Sequence, residues 1–340
     1  MNLTSVIYIL IVALLGLPLP VQAGELIVNA VGDVMLAGRW AASIKSQGFD
    51  LPFSSVAGQL SQADITIANL ESPIASGGNE FTGKKFRFRA DPEVAAALKK
   101  SGINLVNLAN NHTMDFGPEA LSETLYHLNQ AGVAWIGAGE NLAEARQMAL
   151  YTIKNKKIAF LGYSLTQPSA FYAGRNRPGT APGFEKFIIE DITRARQHAD
   201  YVIVSFHWGT EGSSEIQPYQ RTIAHKAIEA GADVIIGHHP HVLRGIERYK
   251  TGIVFYSLGN FVFASKGTSA DAGLIVRLRL SDAQREAELL PLDICHRRVG
   301  FQPQPLTGER ASCVIERLNR LSKPFKTEIR HHGGRYVLNF

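Results

Sequence analysis

Residues 201–241 read YVIVSFHWGTEGSSEIQPYQRTIAHKAIEAGADVIIGHHPH. The run 201–206 is apolar and reads as a strand. Residues 219–230 form an amphipathic helical stretch, and 234–237 is a second apolar strand. Strand, helix and strand in that order predict a parallel pair joined by a crossover helix. Both strands run straight into polar residues: His207-Trp208-Gly209-Thr210-Glu211 after the first, and His238-His239-Pro240-His241 after the second.

The same alternation extends upstream. Strands are predicted at 26–31, 64–70, 84–89, 103–108 and 157–163. A helix is predicted over 92–100, with Asp91 as N-cap and Pro92 at its first position, and another over 119–130, ending at Gly132. Strands alternating with helices imply a largely parallel sheet covered on both faces. After Gly237 the pattern changes to consecutive strands at 242–249, 252–258, 273–280 and 286–294, as expected for a second sheet. The reading is one α/β domain over 24–294, then a tail over 295–340 with one helix at 314–321.

With 340 residues and 45% apolar, the chain is neither disordered nor fibrous. Its net charge of +5 is uneven: residues 291–340 hold nine Lys or Arg against four Asp or Glu, and the rest is balanced. The body therefore lacks the footprint of a nucleic-acid binder, and no nucleic-acid partner is expected. At the other end, 6–17 is an apolar run followed by Pro18, Pro20 and Val21-Gln22-Ala23. This reads as a signal peptide over 1–23, cut after Ala23, and predicts export to the periplasm or cell envelope. A retained anchor is the alternative, although a span needs about 20 apolar residues. Cys295 and Cys313 are the only cysteines, which excludes a C-x-x-C pair and a cysteine zinc site. In an exported protein they are expected to form a disulfide, the alternative being two separate thiols.

Five polar clusters directly follow apolar strands. They are Gly32-Asp33-Val34-Met35; Asn69-Leu70-Glu71; Asn110-Asn111-His112 with Asp115 and Gly117; His207 to Glu211; and Gly237 to His241. In a parallel sheet all five converge on the carboxyl edge, where open α/β sheets bind ligands. Asp, Glu, Asn and His together suit Zn, Mn or Fe better than an all-oxygen calcium site. His239 and His241, two apart in extended chain, are expected to point to one side, with Pro240 biasing His239 towards extended geometry. Taken singly, most clusters have structural readings. Asp33 can be a helix N-cap, Asn110-Asn111 a turn, and His207 a hydrogen-bonded core histidine. Three imidazoles in four residues are harder to explain by packing. Five clusters at successive strand ends point to a metal-dependent site.

These motifs, with Ser-Leu-Gly-Asn-Phe at 257–261, resemble the capsule-synthesis CapA family linked to poly-γ-glutamate, within the calcineurin-like metallophosphatase superfamily. The resemblance covers about 26–263. It implies a four-layer α-β-β-α sandwich with one or two divalent metal ions, Asp33 and His241 holding the first, and Asn111, His207 and His239 the second. Glu71 would bridge them, and His112 would be the catalytic histidine assisting the leaving group. Glu211, Asp115, His238 and Asn260 would stand behind the ligands and orient them. One position departs from the phosphatase pattern: Met35 stands two residues after Asp33, where a histidine is usual, and a thioether is a poor ligand for a hard ion.

Two functions are compatible with this pattern. One is a metal-dependent hydrolase of the cell envelope, acting on a phosphoester or on an amide of an anionic polymer such as poly-γ-glutamate. The alternative is a non-catalytic binding or export component for an acidic polymer, working beside membrane-bound synthesis or export partners. Arg87, Arg89, Arg175 and Arg177 are positioned to reach an acidic chain, or else are solvated surface.

Overall fold

The strand pair opening the sequence reading forms in parallel register, with Val234 opposite Ile203 and His238 opposite His207. The computed structural model describes residues 24–38, 41–263 and 270–340, so the leader read at 1–23 lies outside the described residues. In chain order the strands are β1 (Leu26–Met35), β2 (Ile65–Leu70), β3 (Leu105–Asn107), β4 (Ala134–Ile136), β5 (Ala138–Gly139), β6 (Ala149–Ile153), β7 (Lys156–Ser164), β8 (Gly179–Thr180), β9 (Tyr201–His207), β10 (Val234–His238), β11 (Ile246–Tyr249), β12 (Gly252–Phe255), β13 (Asn260–Phe263), β14 (Ala272–Leu280), β15 (Arg285–Asp293), β16 (Gln304–Pro305), β17 (Arg330–His332) and β18 (Arg335–Asn339).

Two sheets carry the molecule. The larger runs β17-β18-β15-β14-β1-β2-β3-β4, with β13 beside β1 and β16 beside β15; the smaller runs β11-β12-β10-β9-β7-β6. β1, β2, β3 and β4 are parallel to one another, as are β7, β9, β10 and β12.

Period-two alternation gives each central strand two apolar faces. On β9, Ile203 faces the other sheet, where it joins Val28, Ile67, Leu105, Val234 and Phe255 in one buried cluster. Val202 and Val204 face outward, into a cluster with Ile188, Ile192, Ala224 and Ala227 of the helices Glu185–His198 and Pro218–Glu229. The larger sheet is covered likewise: Val31, Val34 and Val106 meet Leu98 and Leu121 of the helices Val94–Lys100 and Gly117–Ala131. Three apolar layers between four structural layers make the α-β-β-α sandwich that the resemblance implied.

Two glycines set the strand ends. A Cβ on Gly32 would lie 2.1 Å from the Gly259 carbonyl oxygen, and one on Gly237 would lie 2.2 Å from that of Tyr256. Only glycine lets β1 and β10 approach 256–260 this closely. The approach brings Asp33 and His238–His241 to the same place.

Four readings are corrected by the structure. Residues 84–89 form no strand, because their polar groups bind the 111–115 turn instead of a ladder. Helix 92–100 begins at Val94, two residues later than read, although the Asp91 carboxylate accepts from the Glu93 amide at 3.1 Å, as an N-cap two residues before it does. The cysteines are free thiols: the helix Gly308–Ser322 turns Ala311, Val314, Ile315 and Leu318 inward and leaves Cys313 exposed. Residues 295–340, read as a tail, are woven into the larger sheet, with β18 antiparallel to β15 and Val314, Ile315 and Leu318 packed into the layer between the sheets. Among the described residues no helix is long and apolar enough to cross a membrane.

Candidate metal centre

Asp33 leaves β1 at a register shift, Glu71 follows β2, Asn111 and His112 follow β3, His207 ends β9, and His239 and His241 follow β10. Parallel pairing gathers these strand ends on one edge. Two groups result: Asp33, Glu71 and His241 offer ligand atoms within 4.8 Å of one another, and so do Glu71, His207 and His239. Glu71 belongs to both. His207 Nε2 lies 2.9 Å from Glu71 Oε1 and 2.8 Å from Asn111 Oδ1, and His241 Nδ1 lies 3.1 Å from Asp33 Oδ2.

The histidine pair reaches this arrangement differently from the extended geometry expected. His239 and His241 both have positive φ, 92° and 59°. Residues other than glycine rarely accept this conformation, and such backbone clusters at functional sites. The chain bends sharply around Pro240, and the His239 amide donates to Asp33 Oδ2 at 3.3 Å. The two rings stand 6.1 Å apart, and those of His207 and His239 4.7 Å.

The groups behind this cluster are partly those expected. His238 Nδ1 lies 3.1 Å from Asp33 Oδ1, and Asn260 Oδ1 lies 2.9 Å from His241 Nδ1. Asp115 is fully buried and accepts from His112 Nδ1 at 2.7 Å. Glu211 is a correction: it is exposed and hydrogen-bonds no imidazole, because Gly209 and Gly212, both at positive φ, carry the loop outward after Trp208. Met35 packs in the core, and its sulfur accepts from the Ala37 amide at 3.3 Å, so it has no place among the ligand atoms.

Charge and burial oppose each other here. Burial raises the Asp33 pKa, but hydrogen bonds to His238 and His241 hold it well below the usual carboxylate range. Burial and the Asp33 charge push Glu71 well above that range. Burial and neighbouring His241 lower His239 to about 3, and burial and His239 hold His207 well down. Burial works against protonated His241, yet Glu71 and Asp33 raise it to about 9. Although His207 Nε2 stands 2.9 Å from Glu71 Oε1, that contact lacks hydrogen-bond geometry, and among the described residues neither Glu71 oxygen nor His239 Nδ1 makes a hydrogen bond. A buried carboxyl with two unused acceptors beside the neutral imidazoles of His207 and His239 is a poor core but a fitting donor set for divalent cations.

Lys84 and Arg244 escaped the sequence reading, and Asn69, read as part of the Asn69-Leu70-Glu71 cluster, was given no role. Lys84 donates to Asp115 Oδ1 at 2.6 Å and to the Asn111 carbonyl, and its ammonium lies 5.3 Å from the Phe171 ring centre. The Asn69 amide donates to Asp33 Oδ1 at 2.8 Å and lies 3.3 Å from His207 Nδ1. Buried Arg244 makes no ion pair among the described residues; it donates to the Thr210 and Ser213 carbonyls at 3.0 and 2.8 Å, pinning the loop after His207. An isolated Lys or Arg carries no motif, so only contact identifies it. Of the expected substrate arginines, Arg87 is paired with Glu80 at 2.7 Å and Arg177 donates to the Tyr172 carbonyl at 2.9 Å. Arg89 and Arg175 are exposed. The two loops meet where Phe81 packs edge-on against Phe171, with ring centres 4.9 Å apart.

Four layers and a carboxylate–imidazole cluster at the parallel strand ends define an α/β sandwich with a candidate metal centre. The chain belongs to the bacterial capsule synthesis protein PGA_cap family, matched over residues 27–265. It is 34% identical to the PGA biosynthesis protein CapA of Bacillus subtilis, over 78% of this chain and 70% of that protein. It is 31% identical to the capsule biosynthesis protein CapA of Bacillus anthracis, over 84% of this chain and 70% of that protein. Among solved structures, Haemophilus influenzae NAD nucleotidase is similar over 87% of this chain and 56% of its own, with a TM-score of 0.47 and 12% identity.

Proposed function

We propose that this protein is an exported, metal-dependent hydrolase acting on an acidic cell-envelope polymer of the poly-glutamate class, or on a phosphoester linked to its synthesis. The observation that carries the reading is Glu71: buried, without a hydrogen bond, and common to both ligand groups. Asp33, Glu71 and His241 would hold one divalent ion, and Glu71, His207 and His239 with Asn111 a second. Such an ion, when bound, polarises the scissile group and makes hydroxide available near neutral pH.

The remaining chemistry belongs to side chains. The Asp115 carboxylate accepts a hydrogen bond from Nδ1–H of His112, which fixes the tautomer and leaves Nε2 to accept or release a proton. Burial lowers the His112 pKa below 6.5; Asp115 opposes this, and the Lys84 charge adds to it. His112 therefore favours its neutral form and acts as acid only after taking up a proton. Phe88 packs on its ring at 4.7 Å and helps keep water away. Export rests on the 1–23 reading, and a mature N-terminus at Gly24 would support it.

The test is purified mature protein, with metal content measured, assayed on poly-γ-glutamate, a phosphomonoester and a phosphodiester. Metal-dependent release of product from one of them is the expected result. No turnover on any substrate by the metal-loaded protein would overturn the hydrolase reading.

A further inference from the structure

Eight of the nine basic residues of 291–340 separate into two sets. Arg298 and Arg310 pair with Asp293, Arg317 with Asp271, and Arg335 with Glu286. Arg320, Lys323 and Lys326 are exposed and make no ion pair, and neither does Arg248 of the adjoining β11. Arg330 meets only Glu328, at 3.9 Å with both side chains largely exposed, a contact of little worth in water.

These free cations, together with the paired Arg335, line two cavities. One of about 660 Å³ holds Arg248, Lys326, Arg330 and Arg335; a second of about 480 Å³ holds Arg320, Lys323 and again Lys326. Six basic side chains face two carboxylates, Glu286 and Glu328, and Glu286 is already bound by Arg335. Because Lys326, Thr327 and Glu328 belong to both cavities, the two make one continuous track. Its walls are held in place: the Arg248 amide donates to Thr327 Oγ1 at 2.9 Å, and the Asn319 side chain clamps the Ile329 backbone at 3.1 and 2.8 Å.

The track lies far from the metal centre. Glu286 pairs with Arg279 and Arg279 with Ile27, so it stands level with the start of β1. From there to Asp33 the strand covers six residues, about 20 Å at roughly 3.3 Å each. Apart from Arg248, the basic residues of the track lie beyond residue 265, where the family match ends.

We propose that this track is a second binding site, for a linear polycarboxylate chain. Unpaired cations along a concave course suit an extended polyanion that contacts them in succession, and a flat lipid surface would reach only the rim. The identity of the polymer as poly-glutamate rests on the proposed function above; the site itself does not.

The test is the triple variant Arg248→Gln, Lys326→Gln, Arg330→Gln in the full mature chain. Its affinity for poly-γ-glutamate is measured by calorimetry across ionic strengths, with inorganic phosphate, anionic phosphatidylglycerol vesicles and a DNA duplex as further probes. We expect polymer binding at least about tenfold weaker, with a smaller salt dependence, an unchanged melting temperature, and unaltered turnover of a small substrate. The variant His239→Ala should keep polymer binding while losing metal, so the track survives even if the hydrolase reading fails. Unchanged polymer affinity in the triple variant would overturn the proposal. So would no polymer binding by the wild type, or vesicles or DNA bound more tightly than polymer through the same residues.

Discussion

The two ends of this molecule handle charge in opposite ways. At the metal centre Asp33, Glu71, His207 and His239 are almost fully buried, their pKa values are displaced by burial and by one another, and acceptors are left unused. At the C-terminal track Arg248, Arg320, Lys323 and Lys326 lie exposed and unpaired. Burial makes the first set costly unless something completes it. Water makes the second set cheap and individually weak. The comparison teaches that one end is built for a few strong, geometrically fixed contacts and the other for many weak ones.

The largest effect tests the buried end directly. His207→Ala or His239→Ala should remove bound metal and reduce turnover to background, with the fold retained because both residues lie at strand ends. Elemental analysis beside a circular dichroism melt checks this, and unchanged metal content in both would break the site assignment. Next, His112→Asn should keep the metal but slow the reaction by about 10² to 10⁴-fold, most for poor leaving groups. Equal losses on activated and unactivated substrates would remove the proton-transfer role. Lys84→Met leaves Asp115 facing His112 without its cation. The expected result is a rise in the pH at which His112 titrates, followed by NMR of the ring, and no change would reduce Lys84 to a packing residue.

The smallest effect concerns metal-free stability. His239, held at about 3, is neutral in the fold, whereas the unfolded chain takes up its proton near 6.5. Its contribution is full above about 6.5 and is lost as pH falls towards 3, with a slope approaching about 1.4 kcal/mol per pH unit. His241, raised to about 9, behaves oppositely: its contribution is full below about 6.5 and is lost as pH rises through about 9. Urea melts of the metal-free protein from pH 5 to 10 should therefore show a maximum in between. His239→Asn should flatten the acid limb alone, and an unchanged limb would contradict the burial argument.

Much of this was legible in the chain. Apolar runs ending in His, Asn, Asp and Glu marked the parallel strands and their carboxyl ends, because a strand covered on both faces must be apolar and only its end can carry polar chemistry. The clusters that hold Asp33, Glu71, Asn111, His207, His239 and His241 were readable for the same reason, while the ligand set among them came from the family resemblance. Tertiary structure decided what depends on neighbours remote in sequence. Lys84 and Asn69 acquire meaning only by touching Asp115 and His207. The bend at His239 and His241 overrides the local extended preference, held by contacts to Asp33 and Asn260. The basic segment was legible as charge, but which of its cations are spent on Asp271, Glu286 and Asp293, and which remain free along the track, was set only when β18 and the helix Gly308–Ser322 docked on the sheet. Periodicity is a local property of a chain, whereas charge pairing across strands is a property of the packed whole.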